Sequence, residues 1–493
     1  MQQAIRIHPA DTVAVALQTL REGETVTVDA QAITLRTDVP AGHKFALRPL
    51  RSGEHVIKYG QPIGETTAAV AAGEHIHTHN LHTLLSGELR YAYAPNVRAV
   101  KPAAPRTFMG YSRADGQVGV RNELWILPTV GCVNDVAAAL EKRAQALVGG
   151  AVEGARAFPH PYGCSQMGED QENTRQILAN LATHPNAGGV LVLGLGCENS
   201  GVTEIRARMG AFDESRVRFL VSQDVEDELA SGMALLTELA DRMREDRRQP
   251  ASAGKLIIGM KCGGSDGFSG LTANPLIGRF SDMLIAMGGS TILTEVPEMF
   301  GAETLLMARC ESEGVFEDTV RLINDFKRYY EDHHQTVYEN PSPGNKKGGI
   351  STLEDKALGC TQKSGDAPVR AVIPYAGKVT QSGLNLQNAP GNDLVATTAV
   401  AAAGAQIVLF STGRGTPFGG PVPTLKIASN SQLAAKKKSW IDFDAGQLLE
   451  GQTLDSLAER LMELVLATAE GKPARNEVNG YQGIAIFKTG VTL

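Results

Sequence analysis

A buried strand that runs into a glycine-rich, chemically dense turn sets the terms for how this chain can fold. Residues 255–260 form a short apolar run with β-branched side chains, the pattern of a strand inside a sheet. It leads directly into Lys261-Cys262-Gly263-Gly264-Ser265-Asp266-Gly267. Glycine there admits positive φ and lets backbone N–H groups come close to a ligand. Between the glycines sit an ammonium, a thiol, a hydroxyl and a carboxylate. Ligands of open α/β sheets collect just past the carboxyl ends of strands. The turn therefore reads as the floor of an active site on a mainly parallel sheet.

The same construction recurs upstream. Residues 109–248 alternate apolar runs with helical patterns, as a parallel sheet with covering helices requires. The run 124–130 ends in Gly131-Cys132, with Asn134 or Asp135 as candidate caps for the helix that follows. The run 155–158 leads to Pro159-His160-Pro161-Tyr162-Gly163-Cys164, and the run 189–195 to Gly196-Cys197-Glu198. A free cysteine is usually a small buried hydrophobe. Three at equivalent strand ends, with Cys262 at a fourth, would converge on one crevice. Thiolates gathered there suit iron, directly or as an iron–sulfur cluster.

Residues 1–97 read as a small β-rich domain of short runs (26–28, 32–35, 44–47, 54–58) separated by glycine turns. His75, His77 and His79 alternate, so an extended strand would present three imidazoles on one face, with His43 nearby in sequence. That set is a candidate for divalent metal or acid-substrate binding. Residues 98–108 are a proline- and alanine-rich linker, and 245–254 a second one. Residues 255–493 form the third region, with strands expected at 256–260, 291–295, 370–374, 406–411 and 425–428 and helices around 301–309, 316–333 and 454–470. Three more loops there carry chemistry: 340–349 with Lys346, 354–365 with Lys356 and Cys360, and 411–417 with Arg414. Lys436, Lys437 and Lys438 read as a solvated helix face. The expected fold is thus α/β, with a β-rich N-terminal domain at 1–97, an α/β domain at 109–248 and an α/β catalytic domain at 255–493.

Composition narrows the function. A net charge of −7 gives no basic face for nucleic acid. No run of about 18 apolar residues exists to span a membrane, and the N-terminus lacks a secretory signal. Six cysteines in a long chain without a signal favour reduced thiols in the cytoplasm, and the lack of any C-x-x-C pair argues against a zinc ribbon. The expected partner is a small-molecule acid, with a homo-oligomer of this chain as the assembly.

Taken together, these strings resemble the altronate/galactarate dehydratase family nearly end to end. The resemblance rests on Gly-His43-Lys, Lys58-Tyr-Gly-Gln-Pro-Ile-Gly, the His75/His77/His79 strand, and Val120-Arg-Asn-Glu-Leu-Trp-Ile-Leu-Pro-Thr-Val-Gly-Cys132. It continues through Tyr-Gly-Cys164, Gly-Leu-Gly-Cys197-Glu, Cys262-Gly-Gly-Ser-Asp-Gly, Ser342-Pro-Gly-Asn-Lys and Ser-Thr-Gly-Arg414-Gly-Thr-Pro. It implies an N-terminal β-clip domain of the SAF type, joined to an α/β catalytic part. It also implies dehydration of a sugar acid to a 2-keto-3-deoxy acid, dependent on ferrous iron, with manganese and an iron–sulfur cluster left open. The alternating histidines and Cys360 favour the altronate branch over the galactarate branch.

On that reading a base removes the C2 proton and the C3 hydroxyl leaves with acid or metal assistance. His160 is the first candidate base, because imidazole titrates near neutrality, and Lys261 or Lys356 is the alternative. Arg414 and Lys346 would supply fixed positive charge. Asp266 and Glu198 would be ligands or would orient the base. The candidate metal ligands are His43, His75, His77, Cys132, Cys164, Cys197 and Cys262. The competing readings are a hydro-lyase for galactarate or sulfolactate, and a non-catalytic sugar-acid sensor.

Overall fold

Alternating short strands and tight turns at the N-terminus cannot bury a second layer of helices, so they close on themselves. In the computed structural model, which describes residues 2–493, strands Ala4–Ile5, Val13–Ala16, Lys44–Ala46 and His75–Ile76 form one antiparallel sheet. His55–Lys58, Gln61–Thr66 and Leu81–His82 form another, and Thr25–Val28 pairs with Gln31–Thr34 as a hairpin. Their inward side chains make two small cores, one of which includes Ala302, Ala357 and Leu358 from the third region. The histidine strand is shorter than expected. It ends at Ile76, and the chain turns at once, with Asn80 N–H donating to the His77 carbonyl (3.0 Å).

The proline-rich segment that follows is not a free tether. Asn96 N–H donates to the Ala308 carbonyl (2.7 Å) and Ala103 N–H to that of Ala286 (2.8 Å), while Tyr91 Oη donates to Glu303 (2.6 Å). The segment straps the third region on its way to the second. There, strands Gly154–Ala157, Glu123–Pro128, Ala187–Gly194 and Val217–Val221 lie side by side in that order, all parallel. Ala187–Gly194 is buried along its whole length, as a two-sided parallel strand should be. Asn134 does not cap the helix Asn134–Ala144. It is its first residue, and its side-chain amide donates instead to the His160 carbonyl (3.0 Å).

The third region holds a seven-stranded, fully parallel sheet in the order Val369–Ile373, Gly383–Gln387, Ser290–Leu293, Ile257–Cys262, Ile407–Thr412, Thr424–Ala428, Phe443–Asp444. Ile257–Cys262 is central and buried from its second residue on. Gly259 within it is explained by packing: a Cβ there would lie 2.7 Å from Val400 on the covering helix Asp393–Ala402. That helix also packs against Gly168–Ala182 of the second region, so one apolar core fills the space between the two sheets. Among the helices beyond those expected are Ala273–Ala286, Leu353–Cys360 and Asp393–Ala402. Leu353–Cys360 is buried at every residue and Asp393–Ala402 at eight of ten, so neither shows the one-sided apolar stripe by which surface helices are read.

Candidate active site

The central strand delivers Lys261 and Cys262 to the carboxyl edge of the large sheet, where the next residues must turn without side chains. A Cβ on Gly263 would sit 2.6 Å from Phe410 and 2.7 Å from the Asp393 carboxylate, and Gly264 takes a positive φ of 65°. The loop so formed is one wall of a cleft of about 650 Å³, lined among others by Cys262, Glu298, Asn340, Lys346, Lys356 and Asp393. The opposite wall is the capped turn Pro343–Lys347, whose Asn345 amide donates to the Ser265 carbonyl (2.8 Å).

Under the cleft lies a buried ionic network. Lys261 Nζ pairs with Asp393 (2.6 Å) and Glu295 (3.1 Å), and Lys356 Nζ with Glu298 (2.6 Å). Lys363 Nζ lies 3.1 Å from Cys262 Sγ, which is 2.9 Å from Glu298 Oε2 and 3.5 Å from Cys360 Sγ. The hydrogen bond from Cys360, helped by Lys363 and Lys356, draws the Cys262 thiol down to about 6 against burial and Glu298. Burial would raise Glu298, but Lys356 and Lys363 hold it well below the usual carboxylate range. Burial and the neighbouring Glu298 push Glu295 up. Burial also opposes the charge on Lys261, Lys356 and Lys363, yet their acidic partners raise all three. Glu295 itself holds a left-handed backbone (φ 68°), a strained geometry for a non-glycine residue of the kind that clusters at functional sites. Its Oε2 accepts from Cys262 N–H (2.8 Å).

Lys346 lines the cleft half-buried. Arg414 is exposed beside it, its N–H donating to the Gly264 carbonyl (3.0 Å). Asp266 ties loops together: it accepts from Ser269 (2.9 Å), Ser429 (2.8 Å) and Asn430 (3.0 Å), and is fully enclosed. It positions the Cys262 turn and is not turned towards a substrate. Lys261 and Lys356 are held as cations and are therefore not bases.

His160 needs correction. It is buried in the second region, its Nε2 facing the Pro128 carbonyl (2.8 Å) and its Nδ1 accepting from Tyr162 N–H (3.2 Å). Burial holds it down to about 4. With both nitrogens engaged by backbone, it cannot serve as the general base. Glu198 likewise accepts from Gly196 N–H (2.6 Å) and Thr129 (2.5 Å) and folds its own loop.

The candidate metal ligands separate into three places. Cys262 lies in the cleft floor. Cys132, Cys164 and Cys197 are exposed at the carboxyl edge of the smaller sheet. His43, His75 and His77 meet by their rings, with centroids 5.0–5.5 Å apart, although the turn after Ile76 denies them a common strand face. His43 Nδ1 faces His75 Nε2 (3.0 Å), His43 Nε2 the Lys347 carbonyl (3.2 Å), and His77 Nδ1 the Ser351 hydroxyl (3.1 Å). Burial keeps His75 near 3 and His77 near 4, so both are neutral. Their nitrogens brace the loop that carries Lys346.

A ferrous ion in the cleft would draw on Cys262, Glu298 and Cys360, whose donor atoms lie within 4.8 Å of one another. Yet Lys363 and Lys356 already sit on two of those donors, and a cation would enter beside two buried ammoniums. The trio does not fit a lone metal ion in this arrangement. It fits a charge-balanced floor beneath an anionic ligand. Glu298, Lys363 and Asp393 were not singled out from the sequence. Glu295 stands at the end of the expected strand 291–295, next to the Cys262 strand, which was the available signal.

Three family models cover the chain. "D-galactarate/Altronate dehydratase, C-terminal" matches residues 253–492, "D-galactarate dehydratase/Altronate hydrolase, second domain" residues 110–244, and "Altronate/galactarate dehydratase SAF domain" residues 2–84. Altronate dehydratase of Escherichia coli (strain K12) is 55% identical, and that of Bacillus subtilis (strain 168) 51%, each over 100% of both chains. Galactarate dehydratase (L-threo-forming) of Escherichia coli (strain K12) is 32% identical over 95% of this chain and 93% of its own.

Proposed function

Because this chain belongs to the altronate/galactarate dehydratase family along its whole length, we propose that it is a hydro-lyase converting D-altronate to 2-dehydro-3-deoxy-D-gluconate. The observation that carries the reading is the cleft itself. Lys346 lines it and Arg414 follows in the neighbouring exposed loop tied to Gly264, above a floor where Lys261, Lys356 and Lys363 pair with Asp393, Glu298 and Cys262. An aldonate brings one carboxylate, which suits Arg414 as a planar fork and Lys346 as a point charge. Removal of the C2 proton adds negative charge to a group already anionic, so fixed cations aimed at that carboxylate favour the transition state over the bound acid.

Cys262 lines the cleft, and Lys363 at 3.1 Å from its Sγ favours the thiolate, so on this reading it accepts the C2 proton. Lys356 lines the same cleft and, as an ammonium, would donate a proton to the departing C3 oxygen. Loss of C2–H and C3–OH leaves an enol, which tautomerises to the 2-keto acid. Ferrous iron, which the family resemblance implies, would supply Lewis-acid assistance. The lysine-paired floor offers no vacant cradle for it, and no step here depends on it.

The test is an assay of purified enzyme for 2-keto-3-deoxy acid across a panel of aldonates and aldarates. Turnover of D-altronate with kcat/KM well above that for galactarate is the expected result. Preference for galactarate, or binding of altronate without turnover, would overturn it.

A further inference from the structure

Three of the six cysteines have no part in the cleft. Cys132, Cys164 and Cys197 follow three parallel strands that are immediate neighbours, Glu123–Pro128 between Gly154–Ala157 and Ala187–Gly194. Their loops interlock. Gly131 N–H donates to the Tyr162 carbonyl (2.9 Å), and Ser200 N–H to that of Gly163 (3.0 Å). Each cysteine follows a glycine: Gly163 and Gly196 hold positive φ, and Gly131 and Gly163 pack closely against each other's loops. A Cβ would lie 3.1 Å from the His160 carbonyl at Gly131, 2.0 Å from the Thr129 carbonyl at Gly163, and 2.7 Å from Gln223 at Gly196. The Cys132 and Cys164 turns are therefore built against each other, and the Cys197 loop is tied to them through Ser200.

All three thiols are nonetheless exposed, although cysteine is among the residues most often buried. Ser165, beside Cys164, holds a left-handed φ of 62°, a strain that persists where surrounding structure enforces it. Polar groups face the sulfurs: Asn199 Oδ1 lies 3.6 Å from Cys164 Sγ, and Gln223 Nε2 3.7 Å from Cys197 Sγ. The three sulfurs are not within 4.8 Å of one another as the Cys262 trio is. That spread is too wide for one ion. A cluster, whose thiolates bind different irons, needs it.

We propose that Cys132, Cys164 and Cys197 hold an iron–sulfur cluster of the four-iron class, with one iron left without a protein thiolate. The site stands apart from the cleft and does not require the altronate reading. The remaining cysteines, Cys262, Cys310 and Cys360, are buried in the third region and supply no fourth ligand.

The experiment uses the full chain, expressed with iron and purified without oxygen. Iron and acid-labile sulfide are counted, and visible and paramagnetic-resonance spectra recorded. Iron and sulfide in equal amounts, approaching about four of each per chain, are expected, with a broad visible band. Cys132→Ser, Cys164→Ser and Cys197→Ser should each lose at least half of the sulfide while keeping the thermal midpoint, since all three positions are exposed. Cys310→Ser, in the core, should keep it. Iron without sulfide, neither, or loop variants that retain the band would overturn the proposal. Altronate turnover by sulfide-free protein would remove the cluster and leave the hydro-lyase standing. A cluster-bearing protein that dehydrates no aldonate would do the reverse.

Discussion

Lys346 lines the cleft, and Arg414 is exposed in the loop bonded to Gly264 of its wall. Replacing Arg414 by Gln should remove a charge-assisted contact to the substrate carboxylate of about 1.5–3 kcal/mol. That is a fall in kcat/KM of roughly 10- to 100-fold, with the thermal midpoint unchanged. Steady-state kinetics and a melt on the same sample check both halves. A second residue speaks to stability. Glu123 is enclosed, with Trp125 Nε1 donating to it (2.8 Å), and burial raises it to about 7. An unfolded glutamate releases its proton near 4.3. Between those values the folded state keeps a proton the unfolded state has lost. The contribution is therefore full below about 4.3 and lost as pH rises through about 7, at about 1.4 kcal/mol per unit. Glu123→Gln should flatten that slope, so its stability relative to the parent rises between pH 5 and pH 8 by roughly 2–4 kcal/mol. Urea unfolding at both pH values measures it; an equal offset at the two would contradict the assignment.

At the scale of elements, one helix joins the N-terminal domain to the cleft. Leu353–Cys360 sends Asp355 towards Lys44 and Lys58 of the β-rich domain (2.8 Å each), and Lys356 and Cys360 into the ionic floor. Burial would raise Asp355, but the two lysines hold it far below the usual carboxylate range. Asp355→Ala leaves two enclosed ammoniums without an anion, a change that typically costs about 3–5 kcal/mol. Denaturant unfolding should show that loss, and limited proteolysis should release the N-terminal domain first. A subtler dependence runs through the histidines. His43 and His77 face Lys347 and Ser351, flanking the turn that presents Lys346. His43→Asn should raise KM for the acid several-fold with kcat less affected, because it loosens a positioning loop and removes no reacting group. Equal kcat and KM to the parent would exclude that bracing role.

For the whole molecule, the question is what keeps two sheets and a β-domain in one arrangement. Residues 484–487 lie across the seam between the second and third regions. Ile484 and Ile486 join the shared core, and Phe487 stacks among Phe326, Tyr329 and Tyr375. Removing residues 483–493 uncovers that seam, with about 1.5–3 kcal/mol lost for each large apolar side chain exposed. The truncated chain should melt well below the parent; a matching midpoint would show that the seam holds without it. Among the described residues, no helix is long and apolar enough to cross a bilayer.

Periodicity in the chain by itself determined the central strands of both parallel sheets and their glycine turns, because a fully buried strand must be apolar and a turn at a ligand must lack bulk; Gly383–Gln387 and Phe443–Asp444, with polar residues or only two residues, carried no such pattern. It also marked Cys262, Lys346 and Lys356, which line one cleft, and Arg414 in the loop next to it. Only tertiary structure decided that His160 is spent on backbone carbonyl and amide, that Glu298 and Lys363 complete the floor, and that Cys132, Cys164 and Cys197 lie apart from the Cys262–Cys360 pair. The reason is distance: charge balance, burial and ligand spacing arise between segments a hundred residues apart, and no local pattern encodes which ammonium will reach which thiolate.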